Sequence, residues 1–208
     1  MNKKTLTIGG IIVVIIVIIA GCFGWYVSAR NNFVEMEVNC ERTWSEVENQ
    51  YQRRLSLIPN LVATVKGYAE HEKTTFENVT RARAGLSEAY DRANELKGTA
   101  PDSEEAVANI SDAQQRLGSA LSLYVNAVRE AYPQLAAGEQ FKDLQAQLEG
   151  TENRIAHARN NYIKAVGDYN TVIRKFPGSI AASIGGFTAK PMFKADAQAA
   201  QAPVVSFE

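Results

Sequence analysis

Phe141–Phe176 reads FKDLQAQLEGTENRIAHARNNYIKAVGDYNTVIRKF, and its apolar residues recur at helical spacing. Phe141, Leu144, Leu148, Thr151, Ile155, Ala158, Tyr162, Ala165, Tyr169, Val172 and Phe176 alternate steps of three and four. Such steps keep one stripe of a helix pointing the same way, the a/d seam of bundles and coiled coils. The segment predicts a long helix with one buried stripe, ended by Phe176-Pro177-Gly178.

Upstream, the chain is rich in Ala, Glu, Gln, Arg and Leu, all good helix formers. Phe33, Met36, Cys40, Trp44, Val47, Tyr51, Leu55 and Ile58 form one amphipathic stripe. A second runs Val62, Val65, Ala69, Phe76, Val79, Leu86, Tyr90, Ala93 and Leu96, closing at Lys97-Gly98, a cation followed by a helix-ending glycine. Pro101-Asp102-Ser103 opens a third, with Ile110, Leu117, Leu121, Tyr124 and Val128 on its face, which stops before Tyr132-Pro133.

The first two stripes meet at Pro59, where two readings compete. The apolar register passes smoothly from Tyr51 through Leu55, Ile58, Val62 and Val65, as in one kinked helix. Against that, Ser56 is a good N-cap, Pro59 suits a first helical turn, and Arg53 and Arg54 suit the end of a preceding helix. A continuous helix would also bare a stripe that two shorter helices could hardly cover. That coverage argument favours a reversal at Pro59.

The expected fold class is all-α: an N-terminal transmembrane helix followed by an antiparallel four-helix bundle with long helices. The expected division is an anchor over 1–30, a bundle over 31–178 and a tail over 179–208. In the tail, Ile180, Ile184 and Phe187 form a short apolar patch, expected to rest on the membrane surface or the base of the bundle. The last stretch, with Pro191 and Pro203, reads as extended or loosely ordered.

The anchor is read from Ile8–Val27, which holds no charged residue, and Ile11–Ile19 is purely Ile and Val. About 20 apolar residues match the thickness of a bilayer core. Trp25 and Tyr26 sit at the far end, where amphipathic rings favour the headgroup layer. Ala20, Gly24 and Ser28 make a small-residue stripe suited to pairing with a second helix, the basis for expecting a homo-oligomer. A rival reading makes Cys22, after Ile19-Ala20-Gly21, a lipidated cysteine. The apolar run through Phe23, Trp25 and Tyr26 favours an uncleaved span instead. Lys3 and Lys4 before the span, against Arg30 and Arg42 diluted by Glu35, Glu37 and Glu41 after it, lean slightly to an extracytoplasmic domain.

The 208 residues carry a net charge of -1, without the clustered basic face that nucleic acid requires. The expected partners are the lipid bilayer, other envelope proteins and copies of the same chain. Cys22 lies in the span and Cys40 on a helix, so neither suggests a disulfide framework or a metal site. No phosphate loop, nucleophile elbow or His-Glu-x-x-His is present. Glu70-His71-Glu72 comes nearest to a site, but adjacent helical residues point apart. The expectation is no enzyme, no cofactor and no metal, the alternative being a ligand sensor or enzyme with a polar site near Asn60 and His71. Glu149, Glu152, Asn153, Arg154 and Arg159 lie beside the seam of the last long helix, where Glu–Arg pairs are weak. Asn60 and Asn170 lie near apolar stripes, where a polar residue usually fixes register.

Gln50-Tyr51-Gln52-Arg53-Arg54-Leu55-Ser56-Leu57-Ile58-Pro59-Asn60-Leu61-Val62, then Val65-Lys66-Gly67-Tyr68 and His71-Glu72, resembles the signature of the LemA family. Ala131-Tyr132-Pro133, Leu148-Glu149-Gly150-Thr151-Glu152-Asn153-Arg154-Ile155, Tyr169-Asn170, Phe176-Pro177 and Gly186-Phe187 fit it too. The likeness covers about residues 25 to 190. Ser56 stands where the family more often has Asp, and Gln134-Leu135-Ala136-Ala137-Gly138 departs from the usual Asp-Leu-Lys-Ala-Asn. The resemblance implies a bacterial inner-membrane protein with an antiparallel helical bundle and no established enzymatic activity. It singles out Arg53, Arg54, Ile58, Pro59, Asn60, His71, Glu149, Glu152, Asn153, Arg154, Tyr169 and Asn170. The expected function is a membrane-anchored scaffold or interaction module of the cell envelope.

Overall fold

The computed structural model describes residues 3–70 and 76–193. Its helices are α1 (Lys3–Ala69), α2 (Glu77–Glu95), α3 (Glu104–Ala131), α4 (Pro133–Ala137), α5 (Glu139–Arg174) and α6 (Gly178–Gly185). No strand occurs among the described residues. The N-terminal part of α1 is long and apolar enough to cross a membrane, and none of its apolar stretch is buried.

The reversal expected at Pro59 does not occur, because α1 passes through it unbroken. Ser56 caps no new helix; its hydroxyl donates to the Gln52 carbonyl 2.9 Å away, one turn back. Pro59 is exposed, and its ring removes the N–H that the Leu55 carbonyl would otherwise accept from. Three helices rather than two cover the stripe: Leu55, Ile58, Leu61 and Val65 share one core with residues of α2, α3 and α5. The helix expected from Ser56 to Leu96 is therefore two pieces. α1 ends at Ala69, and α2 begins at Glu77 after Phe76 in extended conformation. His71 and Glu72 lie outside the described residues.

The chain groups into two units. The first takes the chain up to Glu41 with Ala165–Lys190; the second takes Arg42–Lys164 and the chain from Pro191.

In the second unit, Tyr68 near the end of α1 and Phe76 at the start of α2 both stack edge-on against Tyr132 at the end of α3, with ring centroids 5.7 and 5.3 Å apart. At the other end, Gly98 lies beside the Glu48 side chain. So α2 runs back along α1, and α3 runs forward again. Ser103, in the Pro101-Asp102-Ser103 stretch expected to open this helix, caps α3 by accepting from the Ala106 N–H at 3.0 Å. On α5, Glu152 meets Arg54, Arg154 meets Gln50 and Tyr162 meets Trp44, so α5 is antiparallel to α1. Phe193 then stacks on Trp44 at 5.8 Å and meets Tyr162 edge-on at 5.6 Å.

In the first unit, Phe33 on α1 packs edge-on against Phe187 at 5.3 Å. α6 ends at Gly186, whose positive φ of 74° lets the Phe187 N–H reach back to the Ala182 carbonyl at 3.0 Å.

The seam of α5 holds from Phe141 to Tyr169 and then departs from expectation. Val172 is only half-buried while Val166, Asn170 and Ile173 are buried, and Phe176, exposed, lies past the end of α5 at Arg174. A straight helix turns 3.6 residues per turn against the seam's 3.5, so the inward face drifts by about 20° per heptad.

Candidate functional site

Val47, Tyr51, Arg54 and Ile58 follow one another at steps of three and four, which puts Arg54 on the buried face of α1. Only 4% of it is exposed. Its Nη1 donates to Gln114 of α3, to the backbone oxygen at 2.8 Å and to Oε1 at 3.2 Å. Its Nη2 donates to Glu152 Oε2 of α5, a charge-assisted bond. One guanidinium thus joins three helices by its planar fork, a geometry that lysine's single ammonium does not reproduce.

Three buried polar atoms beside this junction have no partner among the described residues: Arg54 Nε, Glu152 Oε1 and the Tyr51 hydroxyl. Burial pushes the Tyr51 hydroxyl pKa upward, against the opposing pull of Arg159 and Arg54, and keeps the phenol protonated.

These groups form part of the floor of a groove of about 860 Å³. Its walls are α3, from Glu104 to Arg129, and α5, from Gln145 to Arg159. Apolar Val107, Leu121, Val125, Leu148 and Ile155 alternate there with Ser111, Ser119, Ser122 and Asn126. Arg159 stands at one end, bonded to Ser111 Oγ at 3.3 Å, its guanidinium 4.4 Å from the centre of the Phe193 ring.

Of the residues singled out by sequence, the groove brings together Arg54, Glu149, Glu152 and Arg159. Arg154 lies on the exposed side of α5, contacting Gln50 Oε1 at 3.3 Å and Thr151 Oγ1 at 3.2 Å. Arg53, Pro59, Asn60 and Asn153 are exposed, and Ile58 is buried in the core. The expected polar site at Asn60 therefore has one exposed member, while His71 falls outside the described residues. Cys22 is exposed on the apolar part of α1. Burial pushes the Cys40 thiol pKa up, so Cys40 is a poor nucleophile.

Tyr169 and Asn170 belong to the first unit and face the extended chain after α6. The Tyr169 hydroxyl donates to the Thr188 carbonyl at 3.1 Å. Asn170 bonds both the N–H and the carbonyl of Lys190, at 2.9 and 2.8 Å. The sequence position suggested a residue fixing bundle register; its two bonds instead fasten the chain after α6.

Sequence reasoning missed Gln114, the place of the Tyr51 hydroxyl at the junction and the burial of Arg54. It also read Glu152 within its own helix, whereas the ion pair crosses to α1. The available signal was the spacing: Arg54 follows Tyr51 by three and precedes Ile58 by four, and Gln114 lies one turn before Leu117 on an apolar face.

The fold and the groove define a class: an all-helical protein with one N-terminal helix fit to cross a membrane and a grooved helical domain beyond it. The chain belongs to the LemA family, which it matches over residues 43–207. It is similar to the magnetosome proteins MamQ 2 and MamQ 1 of Paramagnetospirillum magneticum (strain ATCC 700264 / AMB-1), each 28% identical over 187 residues, 85% of this chain and 68% of each relative. It is also similar to the magnetosome protein MamQ of Magnetospirillum gryphiswaldense (strain DSM 6361 / JCM 21280 / NBRC 15271 / MSR-1), 27% identical over 168 residues, 76% of this chain and 61% of that relative.

Proposed function

We propose that this protein is a non-enzymatic interaction module of the bacterial cell envelope. Ile8–Val27 crosses the inner membrane, and an antiparallel four-helix bundle on its extracytoplasmic side receives a helix of another envelope protein in the α3–α5 groove. The observation that carries this reading is the set of three unpartnered buried polar atoms beside an open groove. Arg54 Nε and the Tyr51 hydroxyl offer donors, and Glu152 Oε1 offers an acceptor. That combination fits a side-chain amide, whose carbonyl accepts while its NH₂ donates. The groove's α3 wall, from Glu104 to Arg129, runs about 38 Å at 1.5 Å per residue, which suits a helix of several turns better than a small ligand. The partner's expected character follows: an amphipathic helix with Asn or Gln among its apolar residues.

The test is photo-crosslinking in intact membranes, with a photoreactive phenylalanine at Ser122 in the groove or at exposed Ser87 on α2. The expected result is an adduct from the Ser122 position alone, traced by mass spectrometry to a helical segment carrying Asn or Gln, and weakened by Glu152→Ala. Adducts equal at both positions, or only monomer at Ser122, contradict the reading.

A second reading, a ligand sensor, draws on the same three atoms with a small amide in place of the helix. It predicts that an amide-bearing compound protects the groove from the crosslinker while no protein adduct forms.

A further inference from the structure

We infer that α6 lies in the interfacial layer of the bilayer beside the point where α1 leaves it, with Phe176, Ile180 and Ile184 turned into lipid. The inference rests on the reading that Ile8–Val27 spans the membrane.

The three residues recur every fourth position and are 81%, 50% and 68% exposed. The other face of α6 is Ala181 and Ala182, both buried. A helix with small residues inside and large apolar residues outside is inverted for water and suited to lipid. Other large exposed apolar residues occur in the span itself, through Phe23, Trp25 and Val27, as the smaller pair Val34 and Val38 further along α1, or singly as at Phe76 and Leu123.

Position supports the same conclusion. A β-carbon on Gly185, at the end of α6, would lie 3.8 Å from the hydroxyl of Tyr26, the last aromatic residue of the span. Phe187, grouped by sequence with Ile180 and Ile184 in one apolar patch, packs against Phe33 of α1 and fixes α6 there. The clamp continues through Tyr169–Thr188, Asn170–Lys190 and the 2.9 Å ion pair of Lys190 with Glu37. The outward stripe is therefore held at the bilayer end of this unit.

Charge selects lipid as the occupant. Arg174 and Lys175 immediately precede the stripe, and no acidic residue occurs from Tyr169 to Phe193, an arrangement matched to anionic headgroups. A second copy of the chain fits less well, since three side chains offer roughly a few hundred Å² against the ~800 Å² per partner of a stable interface.

The experiment places the full-length protein in phosphatidylcholine–phosphatidylglycerol vesicles containing a lipid with a diazirine on its acyl chain. After photolysis, labelled peptides are mapped by mass spectrometry. The expected result is label in the span and in the peptide covering 176–187, with an exposed α2 peptide as baseline. Ile180→Asn with Ile184→Asn lowers label in 176–187 several-fold and leaves the span unchanged; Phe176→Asn, outside the helix, lowers it without touching α6. Label in the span with 176–187 at the α2 baseline overturns the inference and leaves the anchor standing. Label in neither overturns both. The wild-type ratio decides the matter even if a variant fails to fold.

Discussion

Asn170 grips Lys190 by both halves of its backbone: Oδ1 accepts the N–H at 2.9 Å and Nδ2 donates to the carbonyl at 2.8 Å. A buried side-chain amide here replaces a strand neighbour and fastens the extended chain after α6 to α5. Asn170→Ala removes both bonds and leaves the Lys190 groups unpaired. At ~0.5–1.5 kcal/mol per net hydrogen bond, the expected loss is about 2 kcal/mol. Hydrogen exchange should show the Lys190 amide losing protection well before the α5 amides. An unchanged exchange rate there would remove the clamp from the account.

Arg54 should not tolerate its usual conservative replacement. Arg54→Lys keeps the charge but not the fork that reaches Gln114 and Glu152 together. The expected destabilisation in urea unfolding is about 2 kcal/mol, below the ~3–5 kcal/mol of a fully buried broken pair because Glu152 is partly solvated. Glu152→Gln retains an acceptor for Nη2 and should cost less than Arg54→Lys. The reverse order would show that charge, not geometry, holds the junction.

Pro59→Ala distinguishes an interior proline from one at a helix start. In the interior of α1, alanine restores the missing N–H and should stabilise by about 1–3 kcal/mol. In a first helical turn, where that N–H has no partner, the effect would be close to zero. Thermal or urea unfolding of the pair of proteins reads the difference directly.

The existence and type of most elements were legible because periodicity is local. The spacing on α5, the helix start at Pro101-Asp102-Ser103 and the uncharged run before Val27 each depend on residues within a few turns. The Pro59 join was not legible, because an exposed proline in unbroken apolar register satisfies the local rules for either a reversal or a continuous helix. Which one occurs depends on how much cover α2, α3 and α5 give the stripe. Arg54 was misread for a similar reason. Beside Arg53 it resembles a cationic helix end, and the carboxylate that makes it a junction lies 98 residues away. Phe176 went wrong because α5 ends at Arg174, two residues before it, so the helical spacing no longer sets where its side chain lies.

Alkaline pH should weaken the protein. Burial pushes the Tyr124 phenol up to about 12 and, with added repulsion from Glu37 and Cys40, pushes Tyr169 up to about 12. A phenol raised in the folded state favours folding fully below its unfolded pKa near 10 and loses that contribution as pH rises through the folded value. Stability to urea should therefore be level up to about pH 10 and fall between roughly 10 and 12. Phenolate absorbance should grow as helicity is lost. Full ionisation of these tyrosines with helicity intact would contradict their burial.

The intact mass of the chain in carbonate-washed membranes tests whether an uncleaved helix holds it there. The expected result is a membrane-retained chain that still carries residues 1–30, with Cys22 unmodified. A shorter chain beginning at an acylated Cys22, or release of the intact chain into the carbonate wash as a lipid-free protein, would contradict it.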